Sequence, residues 1–154
     1  MIRVGLGYDS HRFEEGRRLV LGGVEFPGER GLKGHSDADV LVHAIIDALL
    51  GAAGLGDIGS HFPDTDPQYA GAESMALLKR VVDELNDNGW RLGNVDATLV
   101  CEAPKIGPRK AEIVATLAAA LACPVSVKGK TNEKMDDIGA GLGIAVYAVA
   151  LLEK

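Results

Sequence analysis

Cysteine is scarce in this chain, positive charge is not in surplus, and no apolar run is long. Two cysteines among 154 residues, Cys101 and Cys123, are too few for a disulfide framework and stand in no metal-ligand spacing. They read as buried thiols of a reducing compartment. Sixteen Lys and Arg against 22 Asp and Glu leave a net charge of −6. That argues against a general nucleic-acid binder, which would neutralise phosphates with clustered basic side chains. Apolar runs are interrupted before they reach membrane-spanning length, and no secretory leader pattern precedes the first strand-like run. These features predict a cytoplasmic protein with no membrane partner. A P-loop pattern, internal repeats, linkers and low-complexity tracts are missing too, and the glycine cluster near the end precedes a strand, which does not fit a dinucleotide-binding fingerprint.

What is abundant is glycine, 20 residues, about twice ordinary usage, which points to tight turns and close backbone approaches. The length is enough for one domain, residues 1–154, to bury a core without disulfides.

The segment from Gly34 to Gly59 carries the most information. Ser36 followed by Asp39 suggests a capped helix start. Val40, Leu41, Val42, Ile45, Ile46, Leu49 and Leu50 then follow helical spacing with a wide buried stripe, closed by Gly51 and Gly54. His43 lies one turn from Asp39 and one from Asp47, so both carboxylates can share its face. By itself His43 fits a satisfied core histidine better than a ligand.

The first residues alternate, with Ile2, Val4, Leu6 and Tyr8 on one strand face and Gly5, Gly7, Asp9 and His11 on the other. This pattern predicts that the even face packs and that Asp9 and His11 stand side by side at the strand end. A carboxylate and an imidazole so placed suit a divalent metal. With His43 they make a three-ligand set that leaves one position open for chemistry.

Arg18–Phe26 reads as a hairpin around Gly22-Gly23, and the turn-rich stretch 27–34 delivers His35 and Ser36 to the helix mouth. The loop Phe62-Pro63-Asp64-Thr65-Asp66 is stiffened by proline and converges its acceptors, as a ligand-gripping loop would. His61 reads as a loop residue. A helix opening at Glu73 or Ser74 reads as structural, ended by Asn88-Gly89. Strands at Asn94–Cys101 and Ser126–Lys130 flank a helix from Pro108 or Arg109 to Ala122, and Ile144–Leu152 reads as a final buried strand. The order implies an α/β (α+β) two-layer sandwich, a mixed β-sheet with helices on one face. The bare sheet face then needs cover, and self-association is its simplest supply.

Taken together, these motifs resemble the 2-C-methyl-D-erythritol 2,4-cyclodiphosphate synthase family. The resemblance is carried by Gly7-Tyr8-Asp9-Ser10-His11, by His35-Ser36-Asp37-Ala38-Asp39 with His43, and by Leu55-Gly56-Asp57-Ile58-Gly59. It continues through Phe62–Pro67, Leu92-Gly93-Asn94-Val95-Asp96, Ala103-Pro104-Lys105 and Ala148–Leu152, in family order across nearly the whole chain.

The resemblance implies a homotrimer with active sites between subunits, acting on a small cytidine diphosphate substrate. Asp9, His11 and His43 would hold zinc (or manganese), and Glu133 would help hold magnesium or manganese with the diphosphate. Ser10, His35, Ser36 and Asp57, Ile58 and Gly59 would face the methylerythritol and phosphate part, with Phe62, Pro63, Asp64, Thr65 and Asp66 lining that pocket. Cys101, Glu102, Ala103, Pro104, Lys105, Ile106 and Gly107 would receive the cytidine from the adjacent subunit. Lys130, Thr131, Asn132 and Glu133 would approach the diphosphate, with His35 and Thr131 stabilising the transition state. Bound cations explain how an acidic chain without a basic cluster handles three phosphates.

Two segments depart from the family pattern. Lys130-Thr131-Asn132-Glu133 stands where Thr-Thr-Thr-Glu is common, and Asp137–Gly143 lacks the arginine and acidic residue the family carries near its trimer axis.

Overall fold

The computed structural model describes residues 1–154. Strand β1, Ile2–Glu14, pairs antiparallel along its length with β7, Gly143–Glu153, and at its far end with the short β4, Gly31–Leu32. On the other side of β7 lies β5, Arg91–Val100, antiparallel to it and parallel to β6, Val125–Lys130. The result is a mixed five-stranded sheet in the order β4-β1-β7-β5-β6. The expected hairpin is present as β2, Val20–Leu21, and β3, Val24–Glu25, turned by Gly22 and Gly23 at φ 62° and 78°.

Helices α1 (Val40–Ala53), α3 (Ser74–Asp87) and α4 (Lys110–Leu121) cover one face of the sheet, with the one-turn α2 (Ile58–His61) and α5 (Asp136–Gly139) at its edges. Between them sits one core cluster of 39 buried residues, almost all aliphatic. Leu41, Ile45, Ile46, Leu49 and Leu50 of α1 are at its centre, fully buried. This matches the two-layer mixed sandwich read from the residue pattern. No helix is long and apolar enough to cross a membrane.

The alternation of β1 is present, but the packed side is the opposite of the one its hydrophobicity indicates. Gly5 and Gly7 face α1, while Ile2, Val4 and Leu6 are 67%, 64% and 69% exposed. Close approach is the reason. A Cβ on Gly5 would stand 1.9 Å from the Ala48 carbonyl oxygen, and one on Gly7 would stand 1.8 Å from that of Ala44. The α1 backbone rests directly on the strand, an approach only glycine permits. β7 follows suit: Ala148 and Ala150, paired with Gly7 and Gly5, are buried, whereas Tyr147 and Val149 are exposed. Tyr8 and Tyr147 meet across the open face with ring centroids 4.9 Å apart. Beyond Val146 the last strand is therefore buried on one side only.

The helix ends also differ from the pattern read in sequence. Asp39 alone caps α1, accepting from the Val42 N–H, and Gly54 in the left-handed conformation ends it, while Gly51 lies inside. Asp39 faces away from His43 and also accepts from the Gly22 and Gly23 N–H groups at 2.9 and 2.8 Å, stapling the hairpin to the helix. Asp47 accepts from the Ile58 N–H at 2.7 Å. Asp39 is thus turned to the hairpin, whereas Asp47, though it serves an orphan backbone donor, stays near enough to His43 and Asp9 to feel both charges.

Candidate metal centre and substrate cavity

The last turns of β1 bring Asp9 and His11 to the helix-covered face, where the first turn of α1 presents His43. Asp9 Oδ2 lies 2.9 Å from His11 Nε2 and 3.2 Å from His43 Nδ1, and the two nitrogens are 3.4 Å apart. Donors about 2.0–2.1 Å from a tetrahedral zinc-type ion stand about 3.3 Å from one another, so the three atoms already have the spacing of three tetrahedral ligands. The donor set, two imidazoles and a carboxylate, suits the same class of ion. These three residues form a group able to hold a divalent metal.

Each imidazole is oriented through its other nitrogen. His11 Nδ1 donates to the Lys33 carbonyl at 2.6 Å, which leaves Nε2 free for the cluster. His43 Nε2 meets the Ser74 hydroxyl at 2.8 Å and the Ser36 hydroxyl at 3.2 Å. Burial works to raise the Asp9 carboxyl, yet the His11 and His43 imidazoles outweigh it and hold it down at about 2. Burial likewise works to lower His11, and Asp9 outweighs it, so that imidazole is raised above its ordinary value. A carboxylate kept ionised next to an imidazole that gains from positive charge is a place where a cation is welcome.

The cluster forms one wall of a cavity of about 400 Å³, also lined by His35, Ser36, Ile58, Gly59, Phe62, Pro63, Asp64 and Tyr69. His35 is tied by Nε2 to the Asp66 carbonyl at 3.0 Å, which holds the 34–36 segment against the 62–66 loop. Arg17 fixes the same segment from behind, donating to the Gly34 and Ser36 carbonyls at 2.8 Å each. Phe62 packs edge-on against Tyr69, which accounts for an apolar ring in a polar loop.

Other expected site residues lie elsewhere. Asp57 caps α2, its carboxylate accepting from the Ser60 N–H at 2.8 Å, so Ile58 and Gly59 line the cavity rather than the Asp57 side chain. Ser10 lies on the open sheet face, opposite Asp9 and His11. Asp66 holds the Gln68 side chain and backbone, and Thr65 is exposed outside the lining. His61 ends α2 and pairs with Glu84 at 3.3 Å, so it is not a free loop residue.

A second hollow, about 320 Å³, opens beside the ends of β5 and β6. Cys101, Glu102, Pro104, Lys105, Ile106 and Gly107 line it with Lys130 and Thr131, and Ala103 is exposed at its rim. Burial pushes the Cys101 thiol up to about 11, with the neighbouring Glu102 adding to it. Cys101 and Cys123 are both buried free thiols, as expected. Beyond Thr131 the chain turns sharply: Glu133, Lys134 and Asp136 have φ of 51°, 60° and 54°. The Glu102 carboxylate accepts the Lys134 N–H at 2.9 Å. Glu133 itself is exposed.

The two hollows share no lining residue. Through the pairs Asp9–Val146, Val146–Leu99 and Leu99–Gly129, they sit three strand spacings apart, roughly 14 Å.

Ser74 and Asp37 are the site residues that the helical pattern does not single out. Ser74 reads as the start of a structural helix, yet it is fully buried against His43. The only sequence signal for it is a small hydroxyl residue at a helix N-terminus, which caps explain equally well.

A model of the YgbB family matches residues 2–153. A 2-C-methyl-D-erythritol 2,4-cyclodiphosphate synthase of Thiobacillus denitrificans is 55% identical over 99% of this chain and 98% of its own. Among solved structures, a 2C-methyl-D-erythritol-2,4-cyclodiphosphate synthase in a CDP-bound form superposes with a TM-score of 0.89 at 39% identity, over 98% of this chain and all of that one. The bifunctional IspDF of Campylobacter jejuni gives a TM-score of 0.95 at 42% identity, with 99% of this chain matching 42% of that longer one.

Proposed function

The chain belongs to the YgbB family, and from that premise we propose that it is the enzyme its relatives are named for. It closes 4-diphosphocytidyl-2-C-methyl-D-erythritol 2-phosphate into 2-C-methyl-D-erythritol 2,4-cyclodiphosphate and releases CMP, in the non-mevalonate route to isoprenoid precursors. The observation that carries this reading is the tetrahedral spacing of Asp9, His11 and His43 in the wall of a cavity.

In the reaction an oxygen of the 2-phosphate attacks the β-phosphorus of the same molecule. The bond from that phosphorus to the bridging oxygen breaks, and the oxygen leaves with its electron pair on CMP. Because nucleophile and leaving group both belong to the substrate, the protein has to position and neutralise rather than attack. Asp9, His11 and His43 would hold zinc (or manganese), and Glu133 would help hold magnesium or manganese with the diphosphate; such ions would supply the positive charge an acidic chain lacks. Glu133 is a single exposed carboxylate, which fits an ion held mostly by substrate phosphates.

Ser36 and His35 offer donors to the 2-phosphate at the cavity mouth, and Ile58, Gly59 and Phe62 enclose the methylerythritol carbons. Pro63 and Asp64 close that side, with Asp57, Thr65 and Asp66 around its rim, while Ser10, on the opposite sheet face, stays outside it. The hollow from Cys101 to Gly107 takes the cytidine, its backbone reading the base while Lys105 stands by the phosphates. Lys130, Thr131 and Asn132 approach the diphosphate. Thr131, and His35 once its Nε2–H exchanges the Asp66 carbonyl for substrate, donate to phosphate oxygens whose charge grows as the bridging bond breaks.

Two features support a homotrimer whose sites are completed between subunits. The two hollows of one chain lie roughly 14 Å apart and share no lining residue, as halves completed by neighbouring copies would. The exposed stripe of Ile2, Val4, Leu6, Tyr8, Tyr147 and Val149 supplies an apolar face for such copies to bury.

Phosphorus NMR tests the reading directly. Purified protein with the diphosphocytidyl substrate, zinc and magnesium should yield cyclic diphosphate and CMP, and His43→Ala should yield neither. A folded, metal-loaded wild type that makes no cyclic product overturns the assignment.

A further inference from the structure

The hydroxyl of Ser74 has one proton to give and two neighbours that could take it. Its Oγ lies within hydrogen-bond distance of Asp37 Oδ1 on one side and 2.8 Å from His43 Nε2 on the other. Asp37 presents a carboxylate, which only accepts. Its two oxygens are also claimed by the Ser74 N–H at 2.9 Å and the Asp39 N–H at 3.1 Å, so each of its hydrogen-bond partners is a donor. The Ser74 proton therefore points at Asp37, and only lone pairs of Ser74 remain for His43. At 2.8 Å an acceptor facing Nε2 requires that Nε2 carry the hydrogen. With Nε2 protonated, the Nδ1 lone pair faces Asp9 Oδ2 at 3.2 Å and His11 Nε2 at 3.4 Å, so a hydrogen on His11 Nε2 stands between the three donor atoms where the metal would sit.

The opposite tautomer would set two lone pairs against each other at this contact. Ser36 is 3.2 Å from the same nitrogen, and its oxygen also accepts from the Ala38 N–H at 3.3 Å. Its longer contact is compatible with either tautomer and decides nothing. Ser74, by contrast, is fully buried, so no water is at hand to relieve a wrong proton.

We propose that Asp37 and Ser74 form a relay that locks His43 in the Nε2–H tautomer and so holds its Nδ1 lone pair ready for the metal. They are positioning residues, acting through His43. The relay joins the loop before α1, the first turn of α1 and the first residue of α3, so docking of α3 and competence of the metal centre depend on one another. His11 has a simpler counterpart, the single Lys33 carbonyl. This inference rests on the reading of Asp9, His11 and His43 as metal ligands.

The test uses the full chain in two measurements. In the metal-free protein, long-range proton–nitrogen correlation of the imidazoles should show His43 protonated at Nε2. In Asp37→Asn the new amide can donate to Ser74, freeing the Ser74 proton for Nε2, and His43 should shift toward the Nδ1–H form. Chelator competition should show zinc held about 10–100-fold more weakly by Ser74→Ala and Asp37→Asn, and near wild-type affinity in Ser74→Thr, which keeps the hydroxyl. Thermal unfolding separates this loss from simple destabilisation. If Ser74→Ala does not fold, the wild-type and Asp37→Asn spectra still decide the point. An Nδ1–H tautomer in a zinc-binding wild type, or undiminished zinc affinity in both folded variants, overturns the relay alone. A wild type with the Nε2–H tautomer that binds no zinc overturns the metal reading, and the relay's purpose with it.

Discussion

At the β1 end of the sheet, Asp9, His11 and His43 are partly or fully buried, and both nitrogens of each imidazole are engaged by groups of the same chain. At the β6 end, Lys130, Thr131 and Glu133 are exposed. The bonds there serve the turn itself: the Glu133 N–H reaches the Thr131 hydroxyl at 3.4 Å, and Asn132 reaches the Met135 carbonyl at 3.1 Å. One half-site is pre-arranged by its own fold. The other is a shaped edge that presents donors outward. The difference teaches that this chain builds one hollow fully from its own contacts and leaves the other open at an edge.

Subunit mixing puts the largest strain on this comparison. His43→Ala should abolish turnover and lose metal by more than the roughly 100-fold that outer-shell changes cost. Thr131→Ala should lower kcat about 10²–10³-fold, the usual result of removing one transition-state donor, with zinc affinity unchanged. When the two inactive variants are unfolded and reassembled together, intersubunit sites predict recovered activity, since mixed trimers rebuild some wild-type sites. No recovery, read by phosphorus NMR, would place both halves in one chain.

Leu6→Asp addresses the open face. Because Leu6 is 69% exposed, the protomer should keep its helical signal and fold, while sedimentation should show loss of assembly and activity should fall with it. A fully assembled, active Leu6→Asp protein would break the link between the bare face and the completed site.

Gly7→Ala sharpens the comparison from the packed side of the same strand. Its new Cβ must displace the α1 backbone, and urea unfolding should show about 3 kcal/mol lost, together with weaker zinc binding as His43 moves with its helix. A loss under about 0.5 kcal/mol would mean α1 is not held as tightly as described.

The smallest effect is in pH. Burial pushes the Asp39 carboxyl up to about 6, against three backbone N–H donors. A carboxyl raised in the fold holds its proton more tightly there than in the unfolded chain. Its contribution is therefore complete below the ordinary value of 3.8 and is lost as pH climbs through about 6. Unfolding of the metal-free protein should show stability falling away across that window, and Asp39→Asn should flatten it.

Much of this was legible in the order of residues. The period of α1, the Gly22-Gly23 hairpin and the Asp-x-His strand end with His43 all rest on local spacing, which local geometry reproduces. Two misreadings share a cause. Asp39 lies one turn from His43 in sequence, yet the Gly22 and Gly23 N–H groups, distant along the chain, turn it away. Ser74, 31 residues from His43, meets it only because α3 docks on α1.

By itself, then, the sequence determined which residues alternate, which coil, and which side chains are chemically fit to ligate a metal, because periodicity and donor chemistry are local properties. Only the tertiary structure decided which face of β1 is covered. Hydrophobicity favoured Ile2, Val4 and Leu6, but the covering helix approaches so closely that only Gly5 and Gly7 can lie beneath it. Sterics between two backbones settled what apolar content left open, and the apolar side chains were left on the open face.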